Sequence, residues 1–379
     1  MNRQRVVAIA RKEFIQIRRD PRSLLIALLM PIMQMTLLGY GASLDAKHLA
    51  VYAFDRDGSQ TSQALLKRFQ ASPYFDLVRT VDDYGALADV VDAGNCKLAL
   101  VVPPDFSRRL RLGGLVTVQA IVDATDDNTA SLAMGYAEAV IGGFSRDVQL
   151  DWLGRNGLPA RAAVPPLSVE ARTWYNEDLE SRNFIIPGIV ALVMTLVGAL
   201  LSSLTIAREW ERGTMEQLVS TPVTAREIVV GKIVPYFVIG LVDAALCVGF
   251  GIGWFGVPFR GTFVTLFVAT ALFLTVVLGI GFMISVAIPN QVGASQIAIL
   301  VTLLPTNMLS GFVFPIDQMP APIRAVTYLV WSRYYLTILK AVFLKGSGLV
   351  TLAAPLLAML AYAAIVGTIA TRVFRKTLG

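Results

Sequence analysis

Few side chains in this 379-residue chain are placed to do covalent chemistry, and they exclude more than they suggest. His48 is the single histidine, so a serine–histidine–aspartate arrangement has little support. Cys96 lies in a polar stretch and Cys247 in an apolar run, which argues against an internal disulfide. With one histidine and no metal-ligand spacing, the chain is expected to build no metal site. Asp123, Asp126 and Asp127 cluster as in a calcium loop but lack its glycine and terminal glutamate, and a strand-to-helix turn with an N-cap explains them. Gly231-Lys232 is no phosphate cradle: Arg226 stands where the first glycine of that motif belongs, and Ile233 where Ser or Thr belongs.

Two features remain. Asp243 is the one ionisable residue well inside an apolar run, and a carboxyl there is costly enough to be a functional candidate. The alternative is a structural partner for a neighbouring helix. The second feature is residues 206–223, where an apolar run passes directly into a charged helix. Gly213 breaks that helix, a short second helix follows, and Pro222 ends it. Such a piece is tied rigidly to a membrane helix, so a moving cytosolic partner could push on it. An ordinary solvated loop is the other reading, and the residues alone leave both open.

The elements that must carry these residues are membrane spans. The chain is 55% hydrophobic and only 16% charged, with a mean hydropathy of +0.61. A soluble domain is about 25% charged. Apolar runs cover 23–44, 183–207, 233–259 and 349–371, and residues 261–316 hold no charge at all. One helix needs roughly 20 residues to cross the bilayer. The uncharged stretch therefore holds two spans, at about 262–287 and 293–314, parted at Pro289-Asn290-Gln291. Six transmembrane helices result. Basic clusters precede the first span, fill the loop 208–232 and follow the last span in the tail 372–379. Six crossings place all three in the cytoplasm with both termini. The run at 23–44 is too long for a cleaved signal peptide. Before it, residues 1–22 repeat Val6, Ala10, Phe14 and Ile17 at helical spacing, which predicts an amphipathic helix in the inner interface.

Residues 45–182 carry 19 acidic and 14 basic side chains, against a net charge of +11 over the rest of the chain. The opposite signs mark topology, and no separate basic domain speaks for nucleic acid. This region predicts an extracytoplasmic α/β domain: strands near 49–54, 75–81, 97–102, 116–122 and 167–175, helices near 59–71, 82–93 and 127–156. In the fifth span Pro305-Thr306-Asn307 is expected to interrupt the helix and face a path or gate. Beyond it, Tyr328, Trp331, Tyr334 and Tyr335 suggest an outer aromatic belt. Gly249, Gly251 and Gly253 suggest close helix packing.

The loop resembles the inner loop of ATP-binding-cassette exporter permeases of the type 2 superfamily. The matching residues are Arg208-Glu209, Arg212-Gly213-Thr214, Glu216-Gln217-Leu218 and Pro222. The layout is similar too: one span, an external domain, five further spans and a re-entrant segment at 315–345. The likeness covers essentially the whole chain and is nearest to the drug-efflux branch, whose large external domain polysaccharide exporters lack. The resemblance implies an inner-membrane permease exporting a small amphipathic or drug-like substrate. It implies no enzyme in this chain and no cofactor, with ATP and magnesium in a separate cytoplasmic ATPase. Two permeases, as a homodimer or with a paralogue, would enclose the path. The loop residues would couple to the ATPase, and Asp243, Pro305 and Asn307 would line the path or gate. An extracytoplasmic adaptor is a further partner of such systems. The alternatives are a membrane-anchored sensor or scaffold whose external domain binds a ligand, and a secondary transporter; a single buried charge and the absence of visible repeats argue against the last.

Overall fold

The computed structural model describes residues 1–41, 48–125, 127–157, 175 and 180–374. The chain forms two compact units, one from Met1–Ser43 with Thr173–Gly379 and the other from Leu44–Arg172.

The second unit is an α/β layer. Its strands are β1 (Leu49–Asp55), β2 (Phe75–Thr80), β3 (Leu98–Val102) and β4 (Gln119–Val122), in the order β2-β1-β3-β4. β1 pairs in parallel with both β2 and β3, and β4 closes the sheet antiparallel to β3. Helices α3 (Gln60–Gln70), α4 (Tyr84–Asp92), α5 (Phe106–Arg111) and α6 (Asp127–Arg155) complete it. All five residues of β3 are buried, because the sheet has a core on each side. Leu65, Phe69, Phe106, Ala133 and Ala137 pack with Leu98 and Leu100 on one side, while Leu87 and Cys96 pack with Ala99 and Val101 on the other. Such two-sided burial explains the unbroken apolar run of this strand. Helix α5 was not expected from the sequence. The strand expected near 167–175 falls outside the described residues except for Tyr175, and Asp126 falls outside them too. Asp123 makes the turn that the sequence suggested: its Oδ1 accepts from Thr125 N–H at 3.1 Å and its Oδ2 from Lys97 at 2.7 Å.

In the other unit, α1 (Arg3–Arg18) and α2 (Pro21–Gly41) part at Pro21, whose missing N–H is harmless at a helix start. Among the described residues, five helices are long and apolar enough to cross a membrane: α7 (Ser181–Glu211), α9 (Ala225–Gly253), α10 (Phe263–Ala287), α11 (Gln291–Leu309) and α14 (Ala353–Val373). They coincide with the second to sixth expected spans, and α2 occupies the position of the first. Between α7 and α9 lies the short α8 (Met215–Ser220). A turn of 3₁₀ helix at Ile316–Gln318, α12 (Ala321–Thr327), α13 (Trp331–Lys340) and a π turn at Ala341–Lys345 fill the segment before α14.

α7 is the central post. It packs on α2, α9, α10, α11 and α13 and is buried along most of its length. Small residues permit the approach: a side chain on Gly281 of α10 would strike Ser202 Oγ and the Ala199 carbonyl of α7. α9 shows two stripes. Val234, Val238, Val242 and Leu246 are exposed at intervals of four, as lipid-facing residues should be. Tyr236, Gly240, Asp243, Cys247 and Gly251 form the buried stripe.

Candidate functional site

The site is the junction where α7 leaves its apolar run. α7 ends at Glu211, and Gly213 follows at a φ of +67°. Gly213 N–H bonds the Trp210 carbonyl at 3.1 Å, and Thr214 N–H reaches back to the Glu209 carbonyl at 3.0 Å. This pair of bonds is a Schellman ending. It satisfies two of the carbonyls that a helix end orphans, and it needs a left-handed residue that disfavours any Cβ by about 1–2 kcal/mol. α8 then begins at Met215, which is buried with Ile9, Ile206, Ile228 and Phe282, and Leu218 packs against the same cluster. Glu227 accepts the Thr224 N–H at 2.9 Å and the Asn2 N–H at 2.5 Å, joining the starts of α9 and α1. Arg5 donates to the Pro222 carbonyl at 2.6 Å. The exit of the loop is therefore held by α1.

Beneath the loop lies a buried ionic cluster. The Lys232 ammonium donates to Glu13 Oε1 at 2.6 Å, to Glu209 Oε1 at 3.0 Å and to the Thr205 carbonyl at 3.4 Å, which uses its three protons. Lys12 adds a second cation at 2.9 Å from Glu209, and the Thr214 hydroxyl bonds the same carboxylate. Two cations thus balance two carboxylates, with Glu13, Glu209 and Lys232 all at or below 3% exposure. Charges taken this far from water persist only when paired and hydrogen-bonded. The same junction reaches α11. Glu211 accepts the Gln291 N–H at 2.6 Å, Arg208 Nε approaches Gln291 Oε1 at 3.4 Å, and the Arg208 guanidinium lies 3.6 Å from Asp20.

The structure divides the expected loop residues into two groups. Arg208 and Glu209 are buried, Thr214 and Leu218 are half-buried, and the carbonyl of Pro222 is bound. Trp210, Glu211, Arg212, Gly213, Glu216 and Gln217 are exposed. Glu209, expected with the other loop residues to couple to the ATPase, packs inward against Lys232, whereas Arg212 follows the last residue of α7 as its cap and stays exposed. α1 also differs from a helix simply lying at the interface. Its Ile9, Glu13 and Ile17 are buried, it packs on α9, and Phe14 stays exposed on another face with Val7 and Ile15. Sequence reasoning missed Glu13 and Lys232 as partners. The available signal was their isolation: Glu13 is the only acid before Asp20, and Lys232 is the only charge between Ile228 and Val242.

The other candidates lie apart from this junction. Asp243 has no exposure; among the described residues its Oδ2 has no hydrogen-bond partner, and Cys247 Sγ lies 3.7 Å from its Oδ1. It belongs to the packed stripe of α9. Pro305 does not interrupt the fifth span: α11 continues through it to Leu309, with Pro305 and Asn307 half-buried. Of the three glycines at the end of α9, a side chain on Gly251 would meet Ile186, whereas one on Gly249 or Gly253 would meet no other packed group among the described residues. Tyr335 leaves the expected aromatic belt for the core, where it stacks on Phe273 at 4.0 Å and bonds Thr270 at 3.0 Å.

Comparison with known proteins agrees with this architecture. Residues 22–372 match the model of the ABC-2 family transporter protein. The chain is 38% identical over 361 residues to the probable multidrug ABC transporter permease YbhS of Escherichia coli K12, covering 95% of this chain and 94% of that protein. It is 31% identical to the inner membrane transport permease YhhJ of the same strain, covering 86% and 84%, and 26% identical to the probable multidrug ABC transporter permease YbhR, covering 98% of both. The chain therefore belongs to the ABC-2 family of transporter proteins, as a membrane-embedded permease subunit of an ABC exporter rather than an ATP-hydrolysing one.

Proposed function

We propose that this permease sits in an inner membrane and exports a small amphipathic or drug-like molecule, driven by a separate ATPase chain that binds ATP and magnesium. The names of its relatives support this cargo class. The proposed topology has six spans, α2 included, with α8 and both termini cytoplasmic and the sheet domain outside; the three basic clusters support it. A second permease, identical or paralogous, completes the path, and Asp243, Pro305 and Asn307 are its candidate lining or gate residues. An extracytoplasmic adaptor would meet the external domain.

The observation that carries the coupling role is the ionic cluster. It binds α1, α7 and α9 into one block at the base of α8, so a force on α8 reaches the spans without being absorbed by a soft loop. Arg212 and Glu216 offer the exposed contact with the ATPase. Arg208, Glu209, Gly213, Thr214, Leu218 and Pro222 hold that contact in place. The test uses the permease reconstituted with its ATPase. Arg212→Glu and Glu216→Lys should leave permease stability within about 0.5 kcal/mol of the parent, as exposed substitutions do, yet weaken ATPase association and cargo-stimulated hydrolysis. Full association and stimulation in both variants would remove α8 as the docking element.

A further inference from the structure

At the other end of α7, roughly 38 Å of helical rise from Glu209, a second polar site opens. A cavity of about 320 Å³ lies between the start of α7, the end of α11, the 3₁₀ turn and α13. Phe184, Ser310, Asp317, Arg333, Thr337 and Lys340 line it. The Lys340 ammonium sits 3.7 Å from the Phe184 ring centroid and donates to the Gly311 carbonyl at 3.1 Å. The Arg333 guanidinium lies 3.8 Å from the Tyr328 ring centroid and bonds the Thr327 hydroxyl. Among the described residues neither cation forms an ion pair, whereas Lys232 at the opposite end of the unit has two. Both retain unused N–H donors. Ser310 is only 3% exposed, and its Oγ has no hydrogen-bond partner among the described residues. A buried hydroxyl in that condition is unfavourable unless something else bonds it.

The charges define the ligand. Two cations and the single carboxylate of Asp317 leave a net +1, which one monoanion neutralises. A phosphodiester fits that count, and its oxygens can accept from an ammonium, a guanidinium and a hydroxyl together. A dianion would meet the Asp317 carboxylate at the rim. Val313 and Phe314, in the chain between the lining residues Gly311 and Pro315, are exposed apolar side chains, and Ile323, Val326 and Leu329 of the segment between the lining residues Asp317 and Arg333 are exposed as well. A polar cradle with an apolar border matches an amphiphile rather than a free ion. We infer that this cavity is a binding site for the phosphodiester headgroup of a membrane lipid, with Lys340, Arg333 and Ser310 Oγ as its ligands. The inference stands apart from where the ATPase docks.

The test is native mass spectrometry of the purified full-length permease titrated with phosphatidylglycerol, with diacylglycerol as the headgroup-free control. Lys340→Met keeps the aliphatic packing on Phe184 but removes the charge; it should weaken phosphatidylglycerol retention about tenfold, the scale of a lost charge-assisted hydrogen bond. Arg333→Gln should weaken it comparably and Ser310→Ala less, while Lys340→Arg should retain it. Diacylglycerol binding should not distinguish the variants. Melting of each variant reports whether it is folded, and the Lys340→Met to Lys340→Arg comparison isolates the charge. Equal phosphatidylglycerol retention by those two variants would overturn the site. Displacement of the lipid by inorganic phosphate would overturn the lipid as its source and leave a free-phosphate site instead.

Discussion

The Lys232 ammonium and the Glu13 carboxylate lie 2.6 Å apart, although 219 residues separate them in the chain. The pair closes α1 onto α9 beneath the loop that we propose meets the ATPase. Lys232→Met would leave the carboxylates of Glu13 and Glu209 buried with only Lys12 nearby. Breaking a buried pair from one side costs about 3–5 kcal/mol, so this variant should melt well below the parent in detergent. Glu13→Gln should lose less, since Lys232 keeps Glu209 and an amide oxygen can still accept. Equal melting of Lys232→Met and parent would show that the cluster does not brace the junction.

Gly213 tests the geometry of the helix ending. Its φ of +67° suits glycine and is tolerated by asparagine, but not by a β-branched residue. Gly213→Asn should keep most cargo-stimulated ATP hydrolysis by the reconstituted complex. Gly213→Val should lose it while remaining in the membrane, because the Schellman bonds that aim α8 cannot both form. Equal activity of the two would mean that the turn does not set the direction of α8.

Orientation is open to chemical labelling. Cys96 and Cys247 are both buried, so serine replacements give a cysteine-free background. In intact cells, Leu115→Cys, at a position 98% exposed, should react with an impermeant thiol reagent. Glu216→Cys should react only after the membrane is opened. The reverse pattern would invert the proposed topology.

The sheet unit should show an acid dependence of its own. Lys97, hydrogen-bonded to Asp123 at 2.7 Å, and then the Thr125 hydroxyl and N–H hold the Asp123 carboxyl well below the usual carboxylate range. A depressed folded value means the stabilisation is complete above the unfolded value, near about 3.9, and is lost as pH falls through the folded value. Asp123→Asn should therefore lower the unfolding midpoint of this unit at neutral pH, with the gap to the parent closing in acid. A gap that stays constant through the acid titration would assign the effect to packing instead of charge.

Much of the molecule is local, and the sequence by itself determined it. Apolar runs of about 20 residues satisfy their backbone in lipid as helices, so α7, α9, α10, α11 and α14 were legible from the sequence. Strand and helix alternation gave the layered domain, since period and turn chemistry are short-range properties. Gly213 and Pro222 marked the loop because each restricts its own backbone. Tertiary structure alone decided which charges face one another. The three-residue step from Glu209 to Arg212 puts them near one another on a helix, yet packing buries the first against Lys232 and leaves the second in water. Pro305 breaks a helix in isolation, but α11 runs through it, packed along α7. The polar cavity at Ser310 and Lys340 joins residues from four elements, and no spacing along the chain encodes it. Burial and pairing depend on neighbours distant in sequence, and desolvation, which fixes the energy of every buried charge here, depends on them too.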